Sequence, residues 1–193
     1  MMRKKTIIGG LIAGVLFIGG SSALVAAEPS VAQKMMQKQL QIMEPEMRKR
    51  IQKLSPETKK ALLKIYSQHT RHSDNATLRH VMHEVLGDYQ AVATGLMTDN
   101  PEQAAEAARR LANHRIPRGG LLPYMKLEDI TDEKIGVLVP FNDDVEGNAL
   151  RLADAAEKND MAGAAEYFGK VTNGCMSCHQ VFRGKPGVSQ YLR

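Results

Sequence analysis

The chain has 193 residues, with 26 basic and 21 acidic side chains, no tryptophan and two cysteines. The first 27 residues hold three of the basic residues and no acidic one, so the remaining 166 residues carry a net charge of only +2. That balance argues against a nucleic-acid partner, because phosphate binding needs a strongly basic surface. The remaining length is enough for one domain with its own hydrophobic core.

The N-terminus has the pattern of an export signal. Basic residues at positions 3–5 precede an apolar stretch over 7–19, and small residues at 25–27 offer a cleavage site. The pattern predicts a signal peptide over residues 1–27 and a periplasmic protein. The apolar stretch is shorter than the roughly 20 residues of a membrane span. An uncleaved membrane anchor is the alternative.

The next segment, residues 28–75, is predicted to be an N-terminal helical extension. A first helix over 31–53, kinked at Pro45, places its apolar residues on one stripe: Met36, Leu40, Met43, Met47, Ile51 and Leu54. Ser55 and Pro56 are a strong start signal for a second helix that ends near residue 69.

A polar break over 70–75 follows this second helix and is predicted to be a linker. Two histidines, His69 and His72, lie at this break. We predict that both are solvated rather than metal ligands.

The remainder is also predicted to be helical, because it shows no alternating β-branched run. Helices are expected over 76–97, 101–114, 142–158 and 161–183, and the irregular crossing over 115–130 is apolar enough to cover part of the core. The first of these helices carries a heptad-like seam: Leu78, Met82, Val85, Tyr89, Val92 and Leu96. The predicted class is all-α.

A Cys-x-x-Cys-His motif occupies the last predicted helix, at Cys175, Cys178 and His179. This spacing indicates c-type haem attachment. On a helix the two thiols and the imidazole share a side, so the thiols can form thioethers while the histidine binds iron. A zinc site would need further N or S ligands, a thioredoxin-like pair would need a βαβ pattern, and a plain disulfide would leave His179 without a role.

The C-terminal part resembles the cytochrome c′ family, four-helix-bundle cytochromes with haem near the C-terminus. The resemblance covers about residues 76–183. It is carried by Phe141, Leu152-x-x-Ala155-Ala156, Asn159-Asp160, the Cys-x-x-Cys-His motif with Phe182-Arg183, and Arg79. It implies that residues 76–193 form a four-helix bundle with one covalent haem c on the C-terminal helix, preceded by two extra helices.

The resemblance also implies roles for individual residues. Arg79 would meet a haem propionate, and Arg183 would lie beside the proximal histidine. The residue four positions after the arginine faces the iron in the family, and here it is His83. His83 is therefore predicted as the sixth ligand, with Met82 as the alternative, and an open or water-bound iron stays a third option.

These residues predict an electron carrier with a six-coordinate iron and no catalytic activity of its own. The rival hypotheses are a gas-binding protein with an open or displaceable distal ligand, and a haem subunit docked to an enzyme. Expected partners are redox proteins. A homodimer stays open, and no membrane association is expected after signal cleavage. The sequence shows no second metal cluster.

Overall fold

The computed structural model describes residues 28–182 and residue 191. The predicted signal peptide over 1–27 and the predicted haem neighbour Arg183 therefore lie outside the described residues. Within the described part the chain is all α-helical and has no strand. Its only β-type pairing there is an isolated bridge between His72 and Ile116. The predicted all-α class is confirmed.

Three helices form the N-terminal part: α1 (Val31–Gln41), α2 (Pro45–Gln52) and α3 (Pro56–Gln68). The prediction of one kinked helix over 31–53 is wrong. Proline disfavours helical backbone in the residue before it, and Glu44 adopts a ψ of 149° there, so the chain breaks before α2. The predicted apolar stripe is confirmed as core, with four of its members buried: Met43, Met47, Ile51 and Leu54.

The next two helices, α4 (Leu78–Met97) and α5 (Pro101–Ala112), are joined by a three-residue turn and run antiparallel. They approach closely at Gly95, where an added Cβ would lie 2.6 Å from the Ala104 nitrogen. The alanines of α5 are almost fully buried: Ala104, Ala105, Ala107 and Ala108. The small side chains therefore allow α4 and α5 to pack closely.

A crossing segment connects α5 to the last two long helices. It contains two 3₁₀ turns, two short helices and a π-helical turn: Leu122–Tyr124, Leu127–Asp129, α6 (Asp132–Gly136), α7 (Leu138–Asn142) and Asp143–Gly147. As predicted, its apolar residues cover the core. Leu122 and Met125 are buried against residues of the N-terminal helices, so the N-terminal extension and the crossing share one hydrophobic core.

The chain then returns in α8 (Asn148–Glu157) and α9 (Met161–Phe182). Arg109 of α5 binds Asp154 and Glu157 of α8 at 3.0 and 2.7 Å, which fixes these two helices side by side. Helix α9 packs along α8 and also against α4. The core between the four long helices includes Val92, Leu111, Leu152 and Val171.

Candidate functional site

The Cys-x-x-Cys-His motif lies near the end of the uninterrupted helix α9. Cys175 and Cys178 are half-buried free thiols, and His179 is exposed. Cys175 packs against the core that α9 shares with its neighbours, beside Val171 and Val145. The motif therefore turns its thiols inward and keeps the imidazole at the surface.

Both thiols favour the protonated form. Burial is the main cause: it raises the pKa of Cys178 to about 11, and it also raises the pKa of Cys175. The carboxylate of Glu146 raises both further by electrostatic repulsion. Reactive cysteines and zinc-binding thiolates need a lowered pKa, so this environment argues against a nucleophilic or zinc-thiolate role.

Helices α4 and α9 touch through one well-defined pair of side chains. The Tyr89 hydroxyl lies 2.9 Å from the Thr172 hydroxyl, and the Tyr89 ring stacks on Phe168 with centroids 4.6 Å apart. The two helices run antiparallel, because the four long helices alternate in direction along the chain. Tyr89 and Thr172 therefore set the register between α4 and α9.

Met82 and His179 lie at equal distances along the chain from this contact. Met82 lies seven residues before Tyr89, and His179 lies seven residues after Thr172. Seven residues are close to two helical turns, about 10 Å along the axis, and antiparallel helices take both steps towards the same end. Helical periodicity therefore puts Met82 on the Tyr89 side of α4 and His179 on the Thr172 side of α9, and both side chains are exposed.

His83 lies on a different side of α4. One residue turns a helix by about 100°, so His83 points away from the side that carries Tyr89, and it is exposed. Val81, on the opposite side, is fully buried at 0% exposure. The structure therefore does not bring His83 to the face that meets α9. Its neighbour His80 belongs to the capping box of α4, where Nδ1 pairs with Thr77.

Arg79 is exposed one turn before Met82 and His83. Its side chain makes no hydrogen bond or ion pair with any residue that the structure describes. Its guanidinium is therefore available to an anion at this end of the helices.

Three large apolar side chains on α4 and α9 are exposed. Met82, Leu86 and Met176 are 38%, 49% and 50% exposed. We call these three side chains the α4–α9 apolar patch. The prediction that Met82 packs in the core seam is wrong, because Val81 takes the buried position.

Sequence reasoning missed a second cluster at the same end of the molecule. His69 was predicted to be solvated, which is wrong, because it is only 4% exposed. His72 is also half-buried rather than fully solvated. His69 lies against His114 and Glu146, which come from distant parts of the chain, and together they form a group with metal-ligating atoms. No local spacing could have indicated it.

Comparisons with protein-family models, with curated proteins and with solved structures gave no match to this chain. Among the described helices, none combines the length and apolar character that a membrane crossing requires. The function is therefore inferred from the residues and their geometry.

Proposed function

We propose that this chain is an exported mono-haem c-type cytochrome that carries electrons. Cys175 and Cys178 would hold the haem through thioether bonds, and His179 would bind the iron. The observation that carries the proposal is the Cys-x-x-Cys-His motif on an unbroken helix, with half-buried thiols and an exposed imidazole. The four long helices would then form a haem-binding four-helix bundle of the cytochrome c′ kind.

The surroundings of the motif fit a porphyrin. A haem is a large apolar ring with two carboxylates, and it needs apolar walls and nearby cations. The α4–α9 apolar patch supplies exposed apolar side chains on both helices. Arg79 offers a free guanidinium on α4, and Arg geometry suits carboxylate binding. Cys175 and Cys178 are free thiols that form no disulfide, so both are available to form thioethers.

The register of α4 and α9 supports Met82 as the second axial ligand. Helical periodicity puts Met82 on the side of α4 that carries Tyr89, the residue that contacts α9, whereas His83 lies on another side. The haem would supply a reversible one-electron change at its iron, and a ligand on each side keeps that change structurally small. A His/Met pair also favours a higher potential than two histidines would. We therefore propose Met82 in place of His83.

The proposal is tested by producing the chain with a bacterial c-type haem attachment system and measuring mass and absorption. We expect a mature chain that is heavier by one haem and a low-spin spectrum in both oxidation states. Cys175→Ala combined with Cys178→Ala is the control, and it should lose the covalent increment. A low-spin spectrum would support electron transfer. A high-spin iron that takes up carbon monoxide would instead support the gas-binding hypothesis.

A further inference from the structure

His69, His114 and Glu146 form a compact cluster between the N-terminal extension and the long helices. The Nε2 atom of His114 lies 3.1 Å from Oε1 of Glu146, and the Nε2 atom of His69 lies 3.6 Å from the same oxygen. One ligand atom from each residue lies within 4.8 Å of the other two. The three ligand atoms therefore lie close to one another.

The backbone fixes which nitrogen of each ring carries a proton. Nδ1 of His69 lies 2.9 Å from the carbonyl oxygen of Ile65, and Nδ1 of His114 lies 3.0 Å from that of Arg115. A carbonyl oxygen only accepts, so each Nδ1 must donate. In the neutral ring, Nε2 then presents a lone pair towards Glu146. Histidines that bind metals are held by this kind of second hydrogen bond.

Two polar atoms of the cluster are left over. Nε2 of His69 and Oε2 of Glu146 are buried without a hydrogen-bond partner among the described residues. Two imidazole nitrogens and a carboxylate that face one another are compensated either by a proton on an imidazole or by a metal cation held between them. Buried polar groups without a partner are destabilising.

We propose that this cluster binds one divalent transition-metal ion of the zinc class, through residues that are not part of the Cys-x-x-Cys-His motif. In a tetrahedral site with bonds of about 2.0–2.1 Å, neighbouring ligand atoms lie about 3.3 Å apart. The observed separations of 3.1 and 3.6 Å lie on either side of that value. Two imidazoles and one carboxylate suit zinc better than magnesium or calcium, which prefer oxygen ligands.

The site would bind the ion with one position left for water. The His69 side chain is 1% exposed, while those of His114 and Glu146 are 19% and 15% exposed, so the open side faces the latter two. His69 ends α3, His114 follows α5, and Glu146 lies in the π-helical turn before α8. The ion would therefore tie the N-terminal extension to the long helices.

The experiment uses the tag-free mature protein with its haem, stripped of metal by a chelator and titrated with zinc in a calorimeter. We expect one zinc ion per chain and a melting temperature that rises with zinc concentration. Glu146→Gln keeps the shape of the side chain and removes its charge, and it should weaken zinc affinity by about tenfold or more. Glu166→Gln, at an exposed position on α9, is the matched control and should bind zinc like the parent chain.

X-ray absorption at the zinc edge provides a readout that general destabilisation would not change. We expect two imidazole ligands in the parent chain and one in His114→Ala. A parent chain that binds no zinc would overturn the proposal, and so would Glu146→Gln with unchanged affinity. Because the haem spectrum is recorded in the same samples, failure of the zinc site is separable from failure of haem attachment.

Discussion

Replacing Met82 with alanine removes the thioether that we place opposite His179 and leaves the rest of the α4–α9 apolar patch intact. Met82 lies two helical turns from Tyr89, so periodicity puts it on the side of α4 that carries the Tyr89–Thr172 contact. If it binds iron, the variant must change its spectrum. If Met82 only packs against its neighbours, the variant must keep the spectrum of the parent chain.

The expected loss of packing energy is too small to unfold the Met82→Ala variant, so its spectrum can be interpreted. Complete burial of a methionine side chain contributes about 1.5–3 kcal/mol. Met82 is 38% exposed, so its truncation should lower the free energy of unfolding by about 1–2 kcal/mol. A domain with the usual stability of about 5–15 kcal/mol stays folded after such a loss.

The assay is the absorption spectrum of the ferric and ferrous protein, with and without carbon monoxide. For Met82→Ala we expect loss of the thioether-to-iron charge-transfer band, conversion to a high-spin or water-bound iron, and faster uptake of carbon monoxide. Leu86→Ala is the matched control, because this side chain belongs to the same patch and is 49% exposed. It should lose similar packing and keep the parent spectrum.

His83→Ala completes the set and should also keep the parent spectrum. A spectrum that is lost in His83→Ala and kept in Met82→Ala would refute the register argument and assign the ligand to His83. The electron-carrier proposal would survive that result. High-spin iron in the parent chain would refute both ligands and favour gas binding.

Two further predictions test the packing. Gly95→Ala should lower the free energy of unfolding by about 1–3 kcal/mol, because its Cβ would lie 2.6 Å from the Ala104 nitrogen. A Cβ added at Gly87 on the same helix meets no atom within 4 Å, so Gly87→Ala should raise the free energy of unfolding by about 0.5–1 kcal/mol. Equal effects of the two substitutions in urea denaturation would contradict the close approach of α4 and α5. The hydroxyl end of the half-buried Tyr66 is covered, and this burial raises the pKa of Tyr66 well above 10. Because the folded chain holds this proton more tightly than the unfolded chain does, stability should fall as pH rises above about 10. Tyr66→Phe should make that fall shallower, and an unchanged pH profile would contradict the assignment.

The helices that begin with strong local signals were predictable from the sequence. Ser55 accepts the N–H of Thr58, and Asn100 accepts that of Gln103, so the starts of α3 and α5 depend on residues close in sequence. The haem motif was equally visible, because its three residues lie within one helical turn or so. Local chemistry determined these features.

The seam of α4 was harder to assign, because it depends on where the neighbouring helices lie. A heptad pattern accommodates either Val81 or Met82 on the inner side. The structure buries Val81 completely and leaves Met82 38% exposed. This one-residue difference also separates Met82 from His83 as candidate ligands.

The cluster of His69, His114 and Glu146 could not be predicted from spacing. Its members lie 45 and 32 residues apart along the chain. They meet only because α3, α5 and the π-helical turn converge at one end of the molecule. Only tertiary packing brings these three residues together. It also buries His69, which looks solvated in the sequence.

The central claim is that haem is covalently attached at Cys175 and Cys178, and the mass of the purified mature chain tests it most directly. We expect a mass that exceeds that of the mature polypeptide by one haem, with haem that stays on the protein in acidic organic solvent. A chain of unmodified mass, or haem that is extracted by the solvent, would contradict covalent attachment.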